Sequence, residues 1–296
     1  MMKKRISKLG LALLIVGTIL FSGCFKRDNL EDITIYTTTY PIEYIAKTIY
    51  GYNSNVLSIY PDGINVYDYK LTDKQIKDYS QSSIFIYNGL SDEKNIAKDF
   101  INQNTKIRII DVSYGLKSTN YPESLWLSPS TYLMLATTVK NNLQEFITNK
   151  YINEEIENNY VPFQETLSLL DAELRSIGNA AMSKGTNILI TNSDAFEYLT
   201  SYGFEIISLA KEENITENNL SDLRADFKSG TYKTIFMLDS IEKNELIEEL
   251  IETHSLSVVT VKSMNTLNED ERTNKDTYIT IMNEYIENIK NITLGE

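Results

Sequence analysis

One histidine, His254, and one cysteine, Cys24, are all that this chain holds of the two residue types that dominate metal sites and nucleophilic centres. A lone cysteine excludes an internal disulfide, so stability has to come from an apolar core. A lone histidine excludes a multi-imidazole metal site within one molecule, and no Ser-His-Asp or Cys-His arrangement stands out. His254 falls at the end of an expected helix and reads as a solvated or partly packed helix-end residue. The 12 glycines are thinly spread, without a phosphate-cradling loop of the P-loop type. Positive charge is also scarce: 28 Lys and Arg face 41 Asp and Glu, a net charge of −13. Such a surface argues against nucleic acid and against a polybasic membrane patch. These absences point away from an enzyme. The 20 tyrosines are scattered through expected strands and helices alike, which suits amphipathic core-edge positions better than a sugar-stacking platform.

What is present begins at the N-terminus. Lys3, Lys4, Arg5 and Lys8 form a basic flank, and Leu9 to Phe21 is an apolar run broken only by Gly10, Gly17 and Thr18. That run is too short for a comfortable transmembrane span of about 20 residues, and suits the core of a signal peptide. It ends in Phe21-Ser22-Gly23-Cys24, which resembles the lipobox cut by lipoprotein signal peptidase. The expectation is a signal peptide over 1–23 and a lipid anchor on Cys24. Residues 24–31 would be a lipidated tether holding the chain to the extracytoplasmic face of the cell membrane. Residues 1–23 carry four positive charges and no acid, so the remaining 273 residues stand at −17. That length is enough for two lobes of about 100–150 residues each.

Beyond the tether, short β-rich runs alternate with helical patterns, the signature of α/β lobes with mainly parallel sheets. Strands are expected at 33–39, 56–60, 83–87 and 106–110, with helices after Pro41, near 72–80 and 92–102, and from Ser128-Pro129 to about Phe146. Phe163, Leu167, Leu170, Leu174, Ile177 and Ala181 then fall at alternating steps of four and three, one apolar face of a long helix ending near Gly185. Pro162 predicts a kink or a restart in it. Strands follow at 187–191, 205–208, 233–238 and 255–261, with helices near 194–202, 217–229, 241–253 and 276–291. Glu269-Asp270-Glu271 reads as solvated loop charge. The expected architecture is an α/β lobe over 32–150, a linking helix over 151–185 and a second α/β lobe over 186–296, with a ligand cleft between the lobes.

Several motifs, in order along this frame, resemble those of the metal-binding (zinc or manganese) solute-binding proteins of bacterial ABC importers. Thr38-Thr39-Tyr40-Pro41 is similar to the family's opening strand-to-helix segment. Pro61-Asp62-Gly63-Ile64-Asn65-Val66-Tyr67-Asp68-Tyr69 tracks its P-x-G-x-D-P-H-x-Y loop, and Ile86-Tyr87-Asn88-Gly89 its Y-N-G segment. Leu125-Trp126-Leu127-Ser128-Pro129 follows D-P-H-x-W-L-D-P, and Ser193-Asp194-Ala195-Phe196-Glu197-Tyr198-Leu199 follows H-D-A-F-x-Y-L. The resemblance implies two lobes bridged by a backbone helix, one metal ion between them as cargo, and delivery to a membrane permease with its ATPase. A monomer is expected.

The resemblance stops at the ligands. Where the family places imidazoles and carboxylates, this chain has Tyr67, Ser124, Ser193 and Lys262. Neutral hydroxyls are poor zinc ligands, an ordinary tyrosine is protonated at neutral pH, and an ammonium repels a divalent cation. Three readings of the cleft stay open. Asp68, Glu123, Asp194 and Asp239, each beside or close behind a family position, could rebuild an oxygen site for manganese, calcium or magnesium. Tyr67, Ser124, Ser193 and Lys262 could instead line a cleft for a polar or anionic small molecule. In the third, packing side chains fill an emptied pocket, and the scaffold serves as a surface lipoprotein that contacts a protein partner without metal transport.

Overall fold

The computed structural model describes residues 33–51, 54–117, 119–211 and 215–295. The expected signal peptide, Cys24 and the tether lie outside the described residues. The first sheet is parallel, in the order β2-β1-β3-β4. Its strands are β1 (Ile33–Thr37), β2 (Ser54–Ser58), β3 (Ile84–Tyr87) and β4 (Arg108–Asp111), joined by helices α1 (Tyr40–Tyr50), α2 (Asp73–Tyr79) and α3 (Glu93–Gln103). A short helix, α4 (Ser124–Leu127), leads into α5 (Pro129–Phe146) and the 35-residue α6 (Lys150–Lys184). The second sheet repeats the same strand order, β6-β5-β7-β8. It consists of β5 (Ile188–Thr191), β6 (Glu205–Ser208), β7 (Thr234–Leu238) and β8 (Ser257–Val261). Helices α7 (Glu217–Ser229), α8 (Glu245–His254), α9 (Glu269–Asn274) and α10 (Tyr278–Leu294) complete the chain. The architecture is α/β, with two parallel-sheet lobes linked by α6.

The apolar face read from the sequence is the face α6 buries. Phe163, Leu167, Leu170, Leu174, Ile177 and Ala181 are all buried, and Ile152, Ile156 and Tyr160 extend the stripe toward its N-terminus. The helix packs against α1, α5 and α10, so it touches elements on both sides of the chain's midpoint. At about 1.5 Å per residue it is a strut of roughly 50 Å. One apolar cluster accordingly runs from Ile35 and Ile42 through α6 to Leu189, Phe196 and Ile289. Large tyrosines belong to it: Tyr132 and Tyr278 stack at 3.8 Å, and their hydroxyls donate to the carbonyls of Pro41 and Trp126, each at 2.7 Å.

Three local expectations change. Pro162 neither restarts nor ends α6, which is continuous through it. Packing of the stripe on both sides outweighs the one helical hydrogen bond that proline removes. Residues 194–202 form a 3-10 helix, Asp194–Tyr202, stopped by Gly203 at φ 95°. The acidic run is α9, not loop: Asn268 and Glu271 form a reciprocal capping box, and Glu271 is buried against Lys262.

Candidate functional site

In a sheet of order 2-1-3-4 the connections leave the carboxyl ends of the two central strands in opposite directions, which opens a crevice there. In the first lobe those ends carry Thr38, Thr39 and Asn88; in the second they carry Asn192, Ser193, Asp239 and Ser240. Asn192 stitches its crevice closed, accepting from the Leu238 N–H at 2.8 Å and donating to the Leu238 carbonyl at 3.3 Å. Loops of the two lobes interlock beside these crevices. Gly63, at φ 73°, donates its N–H to the Leu267 carbonyl at 2.9 Å, and the Thr266 hydroxyl donates to the Ile64 carbonyl at 3.3 Å.

Asn65 then turns the chain by accepting from the Tyr67 N–H at 3.0 Å, and this aims the Tyr67 side chain inward. The Tyr67 hydroxyl donates to Glu123 Oε1 at 2.5 Å. The same oxygen accepts from Asn265 Nδ2 at 2.9 Å and from Ser240 Oγ at 3.3 Å. One carboxylate oxygen therefore gathers a donor from the first lobe and two from the second. Glu123 is only 3% exposed. Tyr67 is 57% exposed as a residue, yet its hydroxyl is the inner end. Burial of that end, then the charge of Glu123, holds the phenol far above its ordinary pKa, so Tyr67 is a neutral donor and not a phenolate ligand.

The other anticipated residues are engaged locally. Ser124 donates to the Tyr121 carbonyl at 2.7 Å, within its own turn. Ser193 is fully buried and accepts from the Ala195 N–H at 3.1 Å, capping the 3-10 helix. Asp194 accepts from the Tyr121 hydroxyl at 2.9 Å and from Ser208, which occupies both its oxygens. Asp68 accepts from Asn65 Nδ2 at 2.7 Å at the surface. Lys262 donates to Glu271 at 2.5 Å, and that bond raises its pKa, so the ammonium is charged and already paired. Lys262 and Asp239 share a recess of about 400 Å³ beside the Glu123 centre, where Asp239 accepts from the Ser263 N–H at 2.8 Å. Tyr67 and Glu123 are thus brought together directly. Among the described residues, no group of three or more His, Cys, Asp and Glu side chains is placed to hold a metal ion.

Sequence reasoning missed Glu93, Thr39 and Asn265, which line a cavity of about 670 Å³ on the first-lobe side. Glu93 opens α3, is buried, and accepts from the Asn88 N–H at 2.7 Å. Burial pushes its carboxyl up to about 7, the charge of Asp111 adds to this, and the Asn88 bond opposes it. The available signal was its place just after Tyr87-Asn88-Gly89, beyond the end of a central strand. Thr39 was marked only as part of the Thr38-Thr39-Tyr40-Pro41 segment, and Asn265 carried no local signal, since its burial comes from tertiary packing.

Comparison with known proteins agrees with this architecture. The model of the ZnuA family (zinc-uptake complex component A, periplasmic) matches residues 35–292. The manganese ABC transporter substrate-binding lipoprotein PsaA of Streptococcus pneumoniae is 22% identical over 267 residues, covering 83% of this chain and 85% of its own. Two solved structures share the fold at 20% identity, each covering 88% of this chain and 99% of the other. They are the metal-dependent lipoprotein YcdH of Bacillus subtilis, at a TM-score of 0.74, and the Zn(II)-bound ZnuA-like domain of Streptococcus pneumoniae AdcA, at 0.71.

Proposed function

The chain belongs to the ZnuA family, and on that footing we propose that it is the solute-capturing lipoprotein of a metal-type ABC importer. Its cargo sits between the lobes and passes to a membrane permease driven by an ATPase. The chain catalyses no reaction and works as a monomer, with lobes over 32–150 and 186–296 joined through 151–185. Lipid on Cys24 holds it at the extracytoplasmic face; among the described residues, no helix is long and apolar enough to cross a membrane. One observation supports this reading above the rest. Donors from both lobes converge on the single carboxylate of Glu123, which puts a polar centre at the junction of two lobes, where solute sites are commonly built.

Native mass spectrometry with elemental analysis of the protein as isolated tests the reading. A one-to-one solute that is lost in Glu123→Gln supports capture at the cleft. A protein that stays bare after exposure to concentrated growth medium argues against it. Release of a Cys24→Ala variant into the medium would be the matching outcome for the anchor.

A further inference from the structure

Two polar side chains on facing segments of the cleft are buried without a hydrogen-bond partner. Thr39 is 2% exposed and Asn265 7%, and neither Thr39 Oγ1 nor Asn265 Oδ1 is bonded to the protein. The Tyr40 N–H donates to the backbone carbonyl of Asn265 at 3.0 Å, which holds the carboxyl end of β1 against the loop after β8. Glu123 orients the Asn265 amide, because its NH₂ must face the carboxylate, and the side-chain oxygen is left as an acceptor. Both residues line the cavity of about 670 Å³. A buried polar atom without a partner is costly, so the group that fills this end should bring hydrogen-bond donors.

A second observation concerns charge, which is of both signs around this cavity. The Glu93 carboxyl is buried in its wall, while Lys70, before α2, and Lys94, in the first turn of α3, are exposed at its rim with Asp92 and Asp99. Among the described residues, neither lysine is in an ion pair. A solute of one sign would face like charge on part of this lining, which disfavours a simple cation and a simple anion alike. Between the charged groups the wall is aromatic and apolar, from Tyr60 and Tyr69 to Leu71, Ile76 and Leu90.

Size and chemistry then select the solute. The volume is within the range of about 300–1,000 Å³ typical of small-molecule pockets. An ammonium group carries three N–H donors, and the buried end offers acceptors of three kinds, a hydroxyl, an amide oxygen and a carboxyl. A carboxylate carries no donor and suits the lysines. Their four-carbon stems can bring an ammonium over the mouth, a reach that the short side chains of Asp92 and Asp99 lack.

We propose that the cargo is a zwitterion of the amino-acid type with an apolar side chain, its ammonium against Thr39, Asn265 and Glu93 and its carboxylate at Lys70 and Lys94. This rests on the solute-capture reading above and names its substrate class. Calorimetric titration of the protein with L-phenylalanine and with leucyl-phenylalanine tests it and distinguishes a single amino acid from a short peptide. The N-acetyl and C-terminal amide forms of each, zinc chloride and manganese chloride are the comparators. The expected result is one-to-one saturation by at least one zwitterion, with both of its blocked forms weaker by about tenfold or more. Thr39→Val removes a hydroxyl that caps nothing, so it should fold as the parent does. It should weaken the free zwitterion and leave the N-acetyl form unchanged. The double variant Lys70→Gln, Lys94→Gln should erase the advantage of the free acid over its amide. Equal binding of free and blocked forms, or variants that weaken every form alike, would overturn the proposal. Tight zinc or manganese binding with neither zwitterion bound would overturn it while leaving solute capture standing. Failure of every probe up to millimolar concentration would overturn it and count against solute capture as well.

Discussion

Glu93 is a carboxyl whose burial penalises its charged form, and this has a definite consequence for stability. Its pKa rises from 4.5 to about 7 in the folded protein. Burial is the main cause and the charge of Asp111 a smaller part of that rise, and Tyr60, Tyr67 and Tyr87, which all feel its charge, remain protonated over this range. A raised acid pKa means the folded state holds the proton more tightly than the unfolded chain. The penalty is therefore absent below about pH 4.5, grows between about 4.5 and 7, and is complete above, at about 3 kcal/mol. Glu93→Gln keeps an acceptor for the Asn88 N–H and removes the charge. Urea denaturation should find the variant more stable than the parent at pH 8, with the gain vanishing near pH 4.5; equal stability at pH 8 would refute the assignment. Metal affinity is also decided residue by residue. Tyr67 is a neutral phenol, Lys262 a paired ammonium, and Ser124 and Ser193 are committed to backbone groups. Calorimetry with zinc at neutral pH should give a dissociation constant no tighter than micromolar, and tight one-to-one binding would contradict this.

At the scale of elements, α6 and the 3-10 helix behind it meet more closely than side chains allow. A Cβ placed on Gly178 would lie 1.9 Å from the Tyr202 carbonyl oxygen. In a free helix Gly→Ala stabilises by about 1 kcal/mol, yet here the added methyl forces backbone apart. Gly178→Ala should lower the unfolding free energy by at least about 2 kcal/mol, whereas Leu169→Ala, at an exposed position of the same helix, should change it by less than about 0.5. Denaturant titration of the pair checks both. The elements themselves were largely legible beforehand. The four-three spacing from Phe163 to Ala181 located the buried face of α6, because that spacing is a local property of helix geometry. The 3-10 form of 194–202 was not legible, since the approach to Gly178 spans two elements. Nor was the burial of Glu271, which depends on Lys262 arriving from β8.

For the whole molecule, Arg272 ties the lobes. From α9 it pairs with Glu43 of α1 at 3.0 Å and with Asp62 of the first-lobe loop at 2.9 Å, and its guanidinium lies over the Tyr40 ring at 5.3 Å. Glu43 is buried, so Arg272→Met would leave its carboxylate with Lys47 alone. Arg272 is itself a third exposed and Lys47 remains, so a loss of about 2–3 kcal/mol is expected, below the full cost of orphaning a buried charge. Hydrogen exchange should quicken in both α1 and α9; a change in α9 alone would mean that the contact does not join the lobes.

What the sequence determined by itself was whatever depends on neighbours along the chain. This includes the alternation of strands and helices, the long linking helix, the family motifs and the absence of an imidazole ligand set. Tertiary structure alone decided which side chains share the cleft. Glu123 faces it while its neighbour Ser124 turns into its own turn, because adjacent residues at a helix start point in different directions. The contacts that define the centre join Glu123 to Tyr67 across 56 residues and to Asn265 across 142. Hydrophobic periodicity reports on a few turns of chain, and such separations lie beyond its reach.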